Sequence, residues 1–435
     1  MLFVRRFAAG AVIVLLAVGL TVLASLRFGG RFEPAADSAP VTGAGIDRAT
    51  GRDIARLQEH LRAQPKDATS WAALGLAYVE QARVTADPSF YPKAAAALDR
   101  SLRVSPKDNE PALSGQGALA AARHDFTAAL RLAGQALKIN PYGTRAHAVR
   151  VDALVELGRY EEADKAVRHA DSIKPALPIF TRYAYVQELR GRPGLAERVL
   201  RQAAVSATDP ADVTYVRTQL GELAWNRGDL RAAEREYAAA LRTDPHWLPA
   251  IDGRARVRAA RGDAAAALRD RQALVARAPL PSYVVALGEL YEARGMQAQA
   301  REQYGVAGAW AALARSNGVA TDFEGAITAA DHGDRTAALL AARTEWGRRK
   351  SVHVADALAW ALHVNGKDKE ALGYARQAVR TGYRNATFLY HLGVIEKSLG
   401  HTADARRDLK AALALNPHFS DLHAPLARKA LKELS

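Results

Sequence analysis

Cysteine is absent from the 435 residues. That removes disulfides, thiolate metal sites, iron–sulfur clusters and thiol nucleophiles together, and is neutral about compartment. Aromatic residues make up only 7% of a chain that is 49% hydrophobic, so its interior is mostly Ala, Leu and Val. Such small side chains suit closely packed helices, Ala having the highest helix propensity. There is no glycine-rich phosphate loop, no nucleophile elbow and no carboxylate pair in a recognisable pocket motif, so the sequence supports no enzyme class and no cofactor. Nor does a helix-turn-helix signature, zinc module or RNA-binding motif accompany the formal charge of +14, and nucleic acid is not the expected partner. The arginines are scattered (Arg131, Arg201, Arg235, Arg269, Arg301, Arg406), and the run Arg348-Arg349-Lys350 reads as a solvated face. His124, His147, His169, His332 and His401 fall on helix surfaces or turns and carry no assignable chemistry.

One long uncharged run is present. Residues 7–26, FAAGAVIVLLAVGLTVLASL, match the roughly 20 positions that cross a hydrocarbon core of ~30 Å at ~1.5 Å per residue. Arg5 and Arg6 precede it and Arg27 and Arg31 follow. The short basic tail favours an inside N-terminus, with the bulk of the chain extracytoplasmic. Val22-Leu23-Ala24 also suits cleavage, so residues 1–26 are either a single-pass anchor in the cell membrane or a removed signal peptide, which would leave the protein secreted. Residues 27–51, rich in Gly, Pro and Ala, are expected to be a flexible linker.

Glycines 158, 191, 228, 262, 295, 333, 366 and 400 follow one another at gaps of 33, 37, 34, 33, 38, 33 and 34 residues. Each closes one helical pattern and precedes an Ala-rich second helix. A period near 34 with two helices per unit predicts an all-α solenoid. One such pair cannot bury its apolar faces alone, so neighbours must stack.

The unit LGELAWNRGDLRAAEREYAAALRTDP (220–245) resembles the tetratricopeptide repeat. Leu220, Gly221 and Ala224 stand at its first-helix positions, Gly228 in its turn, Ala233, Tyr237 and Ala240 on its second helix, and Pro245 at its end. The resemblance extends to Leu287, Gly288, Tyr291, Ala300, Tyr304 and Ala307, to Leu392, Gly393, Ala405, Leu409, Ala412 and Pro417, and to Trp71, Leu74, Gly75, Tyr78, Ala94, Leu98 and Pro106. It implies a right-handed superhelix of helix-turn-helix units, about ten over residues 52–417, with 418–435 as a capping helix that Ser420 or Asp421 can start. The small residue at Gly221 is expected to let the two helix backbones approach, with Ala233 filling the other half of that contact. Val151 departs from this rule, and GAWAALARSNGVATDFE (308–324) is expected to prolong a second helix and add a loop.

In HVADALAWALHVNGKDKEAL (353–372), His353, Asp356, Trp360 and His363 share one stripe of a first helix. His353 and His363 lie about 15 Å apart along the axis, too far for the convergence a metal needs. The resemblance places that stripe on a concave groove that binds peptides or partner helices. The same positions elsewhere give Arg145, Asp152, Tyr185, Tyr215, Thr218, Glu222, Trp225, Asp252, Arg256, Glu289, Glu292, Phe323, Tyr390 and Lys397. Recurring aromatics suit apolar or Pro-rich ligand side chains, and carboxylates from Glu222 to Glu292 suit a neutral or basic segment. The expected function is a protein-interaction scaffold of the cell envelope. The alternative is a dedicated accessory subunit of a membrane transport, secretion or assembly complex, with a metal-binding accessory role behind both.

Overall fold

The structure is a computed structural model that describes residues 43–434. The apolar segment 7–26 and most of the expected linker lie outside the described residues. Among the described residues every regular element is a helix, and no helix is long and apolar enough to cross a membrane. The first, α1 (Gly43–Ala63), begins within the stretch expected to be a linker. Five hairpins follow: α2 (Ala68–Thr85) with α3 (Phe90–Val104), α4 (Glu110–Ala122) with α5 (Phe126–Ile139), α6 (Thr144–Glu156) with α7 (Tyr160–Ile173), α8 (Leu177–Leu189) with α9 (Pro193–Ser206), and α10 (Pro210–Asn226) with α11 (Leu230–Thr243). Five more come next: α12 (Leu248–Ala260) with α13 (Ala264–Arg277), α14 (Pro281–Ala293) with α15 (Gln297–Ser316), α16 (Asp322–His332) with α17 (Arg335–Arg348), α18 (Val352–Val364) with α19 (Asp368–Val379), and α20 (Ala386–Ser398) with α21 (Thr402–Leu415). A closing helix, α22 (His423–Glu433), follows the last hairpin.

The hairpin turn is encoded by two residues. Gly228 takes φ +72° and lets Asp229 N–H bond Ala224 O at 2.9 Å, ending α10. The Asp229 carboxylate then accepts the Ala232 N–H at 2.9 Å and starts α11. Gly158, Gly191, Gly262, Gly295, Gly366 and Gly400 adopt the same left-handed geometry. Gly333 does not (φ −144°), while His124 at φ 62° fills the equivalent turn between α4 and α5.

Packing within and between hairpins follows a size rule. A Cβ on Gly221 would stand 2.5 Å from the Tyr237 ring, and one on Gly253 would strike the same ring from the next first helix. Leu98 sits likewise between Gly75 and Gly115. The small residue therefore seats a bulky second-helix side chain at Gly221, and the backbone approach expected from sequence is also seen, a Cβ on Gly75 or Gly393 standing 3.2 Å from Ala94 O or 3.1 Å from Leu409 N. The paired alanines Ala163, Ala196, Ala233, Ala267, Ala300, Ala338, Ala371 and Ala405 are all buried. Where α6 carries the larger Val151, the second-helix position that Tyr237 occupies in its unit is the smaller Val167, and both valines are buried.

The array does not remain an open arc. Contacts recur between residues 191 to 196 apart in the chain. His124 Nδ1 meets Ala320 O at 2.7 Å, the Val352 N–H donates to the Tyr160 hydroxyl at 2.8 Å, and Asn416 Nδ2 donates to Trp225 O at 2.9 Å. At a period near 34, that offset is roughly five and a half hairpins per coil. The second coil thus lies on the first. Turn glycines make this possible: a Cβ on Gly158 or Gly228 would run into Lys350 O or Leu415 O, and one on Gly191 would come within 2.6 Å of Gly382 O. The lengthened α15 places Trp310 and Ala314 in one apolar core with Leu61, Tyr78 and Tyr91.

Arg349 is the polar centre of this junction. Its guanidinium, just past the end of α17, pairs with Glu156 of the first coil and with Glu345 of α17. It also lies over the rings of Phe126 (5.0 Å) and Phe323 (5.1 Å). The reading of residues 348–350 as a solvated face holds for the exposed Arg348 and Lys350 and is corrected at Arg349, which is only 4% exposed. His124 and His147 are likewise buried rather than superficial.

Candidate functional site

The coiling encloses a cavity of about 450 Å³. Its walls come from α2 (Val79, Glu80, Arg83), α6 (Val149, Asp152), α10 (Glu222, Trp225), α12 (Asp252, Arg256) and α14 (Tyr283, Ala286, Glu289). Arg271 of α13 and the segment His418–Asp421 before α22 complete it. The stripe predicted from sequence therefore reaches this lumen at Glu222, Trp225, Asp252, Arg256 and Glu289, and also at Asp152.

Charge in the lumen is unbalanced. Six carboxylates (Glu80, Asp152, Glu222, Asp252, Glu289, Asp421) face three guanidinium groups (Arg83, Arg256, Arg271), and each of those cations is already engaged. Arg83 Nε donates to Glu80 at 2.9 Å, and Arg271 Nη1 donates to Asp252 at 3.0 Å. Arg256 pairs with Glu222 and with Asp252, and lies 5.3 Å from the Trp225 ring centre. Asp152 is held from behind by Arg182 Nη2 at 2.6 Å. Glu289 has a more distant partner, His332 at 3.7 Å. Burial, and then the Glu289 carboxylate, push the Asp421 carboxyl above its usual range against the pull of Arg271 and Arg294. The surplus is negative, on a chain that is strongly basic overall.

Most of the rest of the predicted stripe is occupied by the protein itself. Trp360 donates its Nε1 proton to Asp331 at 2.7 Å and stacks on His391 (4.1 Å, 14°) and His363 (5.0 Å, 28°). Asp356 accepts from His391 at 3.0 Å, and His363 Nδ1 meets Asp368 at 2.5 Å. Tyr390 stacks on His423 of α22 (5.1 Å, 22°). His353 packs against Phe388 (5.4 Å) and Tyr383 (5.8 Å), neighbours it does not share with His363. Burial, with Arg349 nearby, lowers the His353 pKa to about 4. Tyr215 and Thr218 are buried in the first coil, Tyr185 is exposed, and Phe323 lies under Arg349. Glu292 accepts the Tyr304 hydroxyl proton at 2.8 Å and meets His332 at 3.1 Å. Lys397 pairs with Glu433, and burial lowers the Arg145 pKa beside Glu110. Among the described residues no group of three His, Asp or Glu side chains is arranged to hold a metal ion.

Lumen residues that sequence reading missed include Val79, Glu80, Arg83, Arg271, Tyr283 and Asp421. Val79 could have been found, because it stands four residues after Gly75, as Trp225 does after Gly221. Asp421 carried no such signal: it reaches the lumen only because the second coil returns to the first.

A coiled array of helical hairpins around a lined cavity defines a repeat solenoid, a scaffold architecture. The sequence profile of the tetratricopeptide repeat matches residues 120–180 and again residues 386–419. Both of these segments of the chain are tetratricopeptide repeats. A thermophilic TPR protein of Thermus thermophilus is 26% identical over 40% of this chain and 91% of its own, with a TM-score of 0.35. PilW, a widely conserved type IV pilus biogenesis factor, is 21% identical over 45% of this chain and 90% of its own (TM-score 0.38). The human IFIT1 dimer with PPP-AAAA is 14% identical over 86% of this chain and 89% of its own (TM-score 0.46). No curated protein matches the chain.

Proposed function

We propose that this protein is a non-catalytic scaffold of the cell envelope that holds an extended, neutral-to-basic segment of a partner protein in its lumen. The observation that carries this reading is the charge of the cavity: each lumen arginine is engaged by a carboxylate, while Asp421 adds its charge beside Glu289. A Lys or Arg side chain, or an amino terminus, entering there meets negative charge in a partly desolvated space, where attraction is stronger than at the surface. Trp225 and Tyr283 supply flat apolar area beside it. A nucleic-acid backbone would instead meet those carboxylates, which opposes the phosphate neutralisation that such binding requires.

Residues 7–26, as an anchor, would tether the array at the membrane with the solenoid extracytoplasmic; a dedicated membrane complex is then the natural source of the partner segment. Peptide arrays varying charge at constant length test the central part. Selection of neutral and basic peptides, lost in Glu289→Gln/Asp421→Asn, supports the reading. Uniform selection of acidic peptides contradicts it.

A further inference from the structure

The lumen wall at His418–Asp421 belongs to the segment that joins α21 to α22. Asn416 fixes its start through the bond to Trp225 O, and α22 then folds back over α20. Ala424 and Ala427 of α22 are buried, and Leu431 and Leu434 pack partly buried against the core that holds Ala427. The polar hold is His423. Its Nε2 lies 3.4 Å from the Asp331 carboxylate on α16, and its ring stacks on Tyr390.

We propose that α22 and the turn before it form a latch on the lumen, closed by the His423–Asp331 ion pair and loosened as pH rises. This rests on the lumen being the binding site, and it assigns that site a control. With the latch closed, Asp421 stands beside Glu289 and a bound segment is retained. With it open, His418–Asp421 leave the wall and the segment exchanges.

The groups around His423 set the direction. Burial lowers its pKa, but the bond to Asp331 and the charges of Asp331, Glu289 on α14 and Asp356 on α18 outweigh that and raise it. His391 on α20 also faces it, ring centres 6.0 Å apart. A group raised on docking favours the closed state fully below its free value near 6.5, and loses that contribution as pH climbs through the docked value. Asp331 is lowered, because His423 outweighs its burial, so its part fails only in strong acid. Asp421, raised by burial, also resists docking more as pH rises. His418 pulls the other way: burial, then Arg428, lower it, so charging it in acid opposes closure. A His418→Gln/Asp421→Asn background therefore isolates His423.

Because the chain lacks cysteine, two spin labels can be placed without side reactions, at Leu426→Cys on α22 and Leu340→Cys on α17, both exposed. In the full chain carrying His418→Gln and Asp421→Asn, the label–label distance should be single and short at pH 5.5. At pH 8.5 a longer, broader component should appear, its ratio to the short one rising up to about tenfold per unit of docking-induced pKa change. His423→Gln should show that component equally at both pH values, and Asp331→Asn should do the same. Circular dichroism checks that the array stays folded. An unchanged distance from pH 5.5 to 8.5, or a pH response that survives His423→Gln, overturns the latch. The distances need no peptide: latch motion without peptide binding at either pH would remove only the lumen reading. A bound basic peptide that leaves no faster at pH 8.5 would count against the control.

Discussion

Arg349 and Glu156 form a buried ion pair across 193 residues of sequence, joining two coils of one superhelix. Burial raises the Glu156 pKa, and Arg349 pulls it down. Neither partner is stable there alone. Arg349→Met should cost about 3–5 kcal/mol, the usual loss when one member of a buried pair is left uncompensated. Adding Glu156→Gln should recover much of it. Urea unfolding of the two singles and the double checks this; a single-variant loss below about 1 kcal/mol would show that the coils are held elsewhere.

The turn glycines divide into two classes. Gly366→Ala meets nothing within 4 Å and should cost only the left-handed penalty of about 1–2 kcal/mol. Gly158→Ala carries the same backbone penalty but also pushes Lys350 O, so a further ~1–3 kcal/mol is expected from overpacking. Equal losses at the two sites, measured by thermal unfolding, would argue against coil stacking in solution.

Tyr237 is wedged between Gly221 and Gly253. Gly221→Ala alone should cost about 1–3 kcal/mol by overpacking. Introduced together with Tyr237→Val, it should cost far less than the sum of the two single changes, since the valine leaves room for the added methyl. Val151 with Val167 is the natural form of that exchange. A double-mutant cycle gives the coupling directly, and additivity would refute the size rule.

His353 sets an acid limit. Its pKa is lowered by burial and by Arg349 to about 4, so its neutral form contributes fully above pH ~6.5 and is lost as pH falls toward 4. His353→Gln should remove up to about 3 kcal/mol of the stability the protein loses over that interval. Chemical unfolding at pH 7.5, 6 and 4.5 reads it. The expectation fails if the variant keeps the same slope.

What could be read in advance has a physical boundary. Periodicity is local, so the Gly228-Asp229 turn, the buried alanines and the number of hairpins were legible from a period near 34. His124 marked a further turn, standing 34 residues before Gly158, but a histidine in the left-handed region does not announce itself as glycine does. Coil-to-coil contacts are different in kind. Nothing near Arg349 names Glu156, and nothing near Asp421 names Glu289, because each meeting depends on curvature summed over several hairpins. For the same reason the stripe through Trp360 was legible as one face of a helix, while its occupation by His391, Tyr390 and His423 was not.

The occupant of the lumen is the point on which the functional account turns. A photo-crosslinking residue at Ala286, on the lumen wall, can be compared with one at the outward-facing Leu340, using a basic peptide chosen from the array. The account predicts peptide adducts at position 286 and none at 340, lost when Glu289 and Asp421 are neutralised. Adducts at 340, or a peptide that binds undiminished while leaving 286 unlabelled, would contradict it.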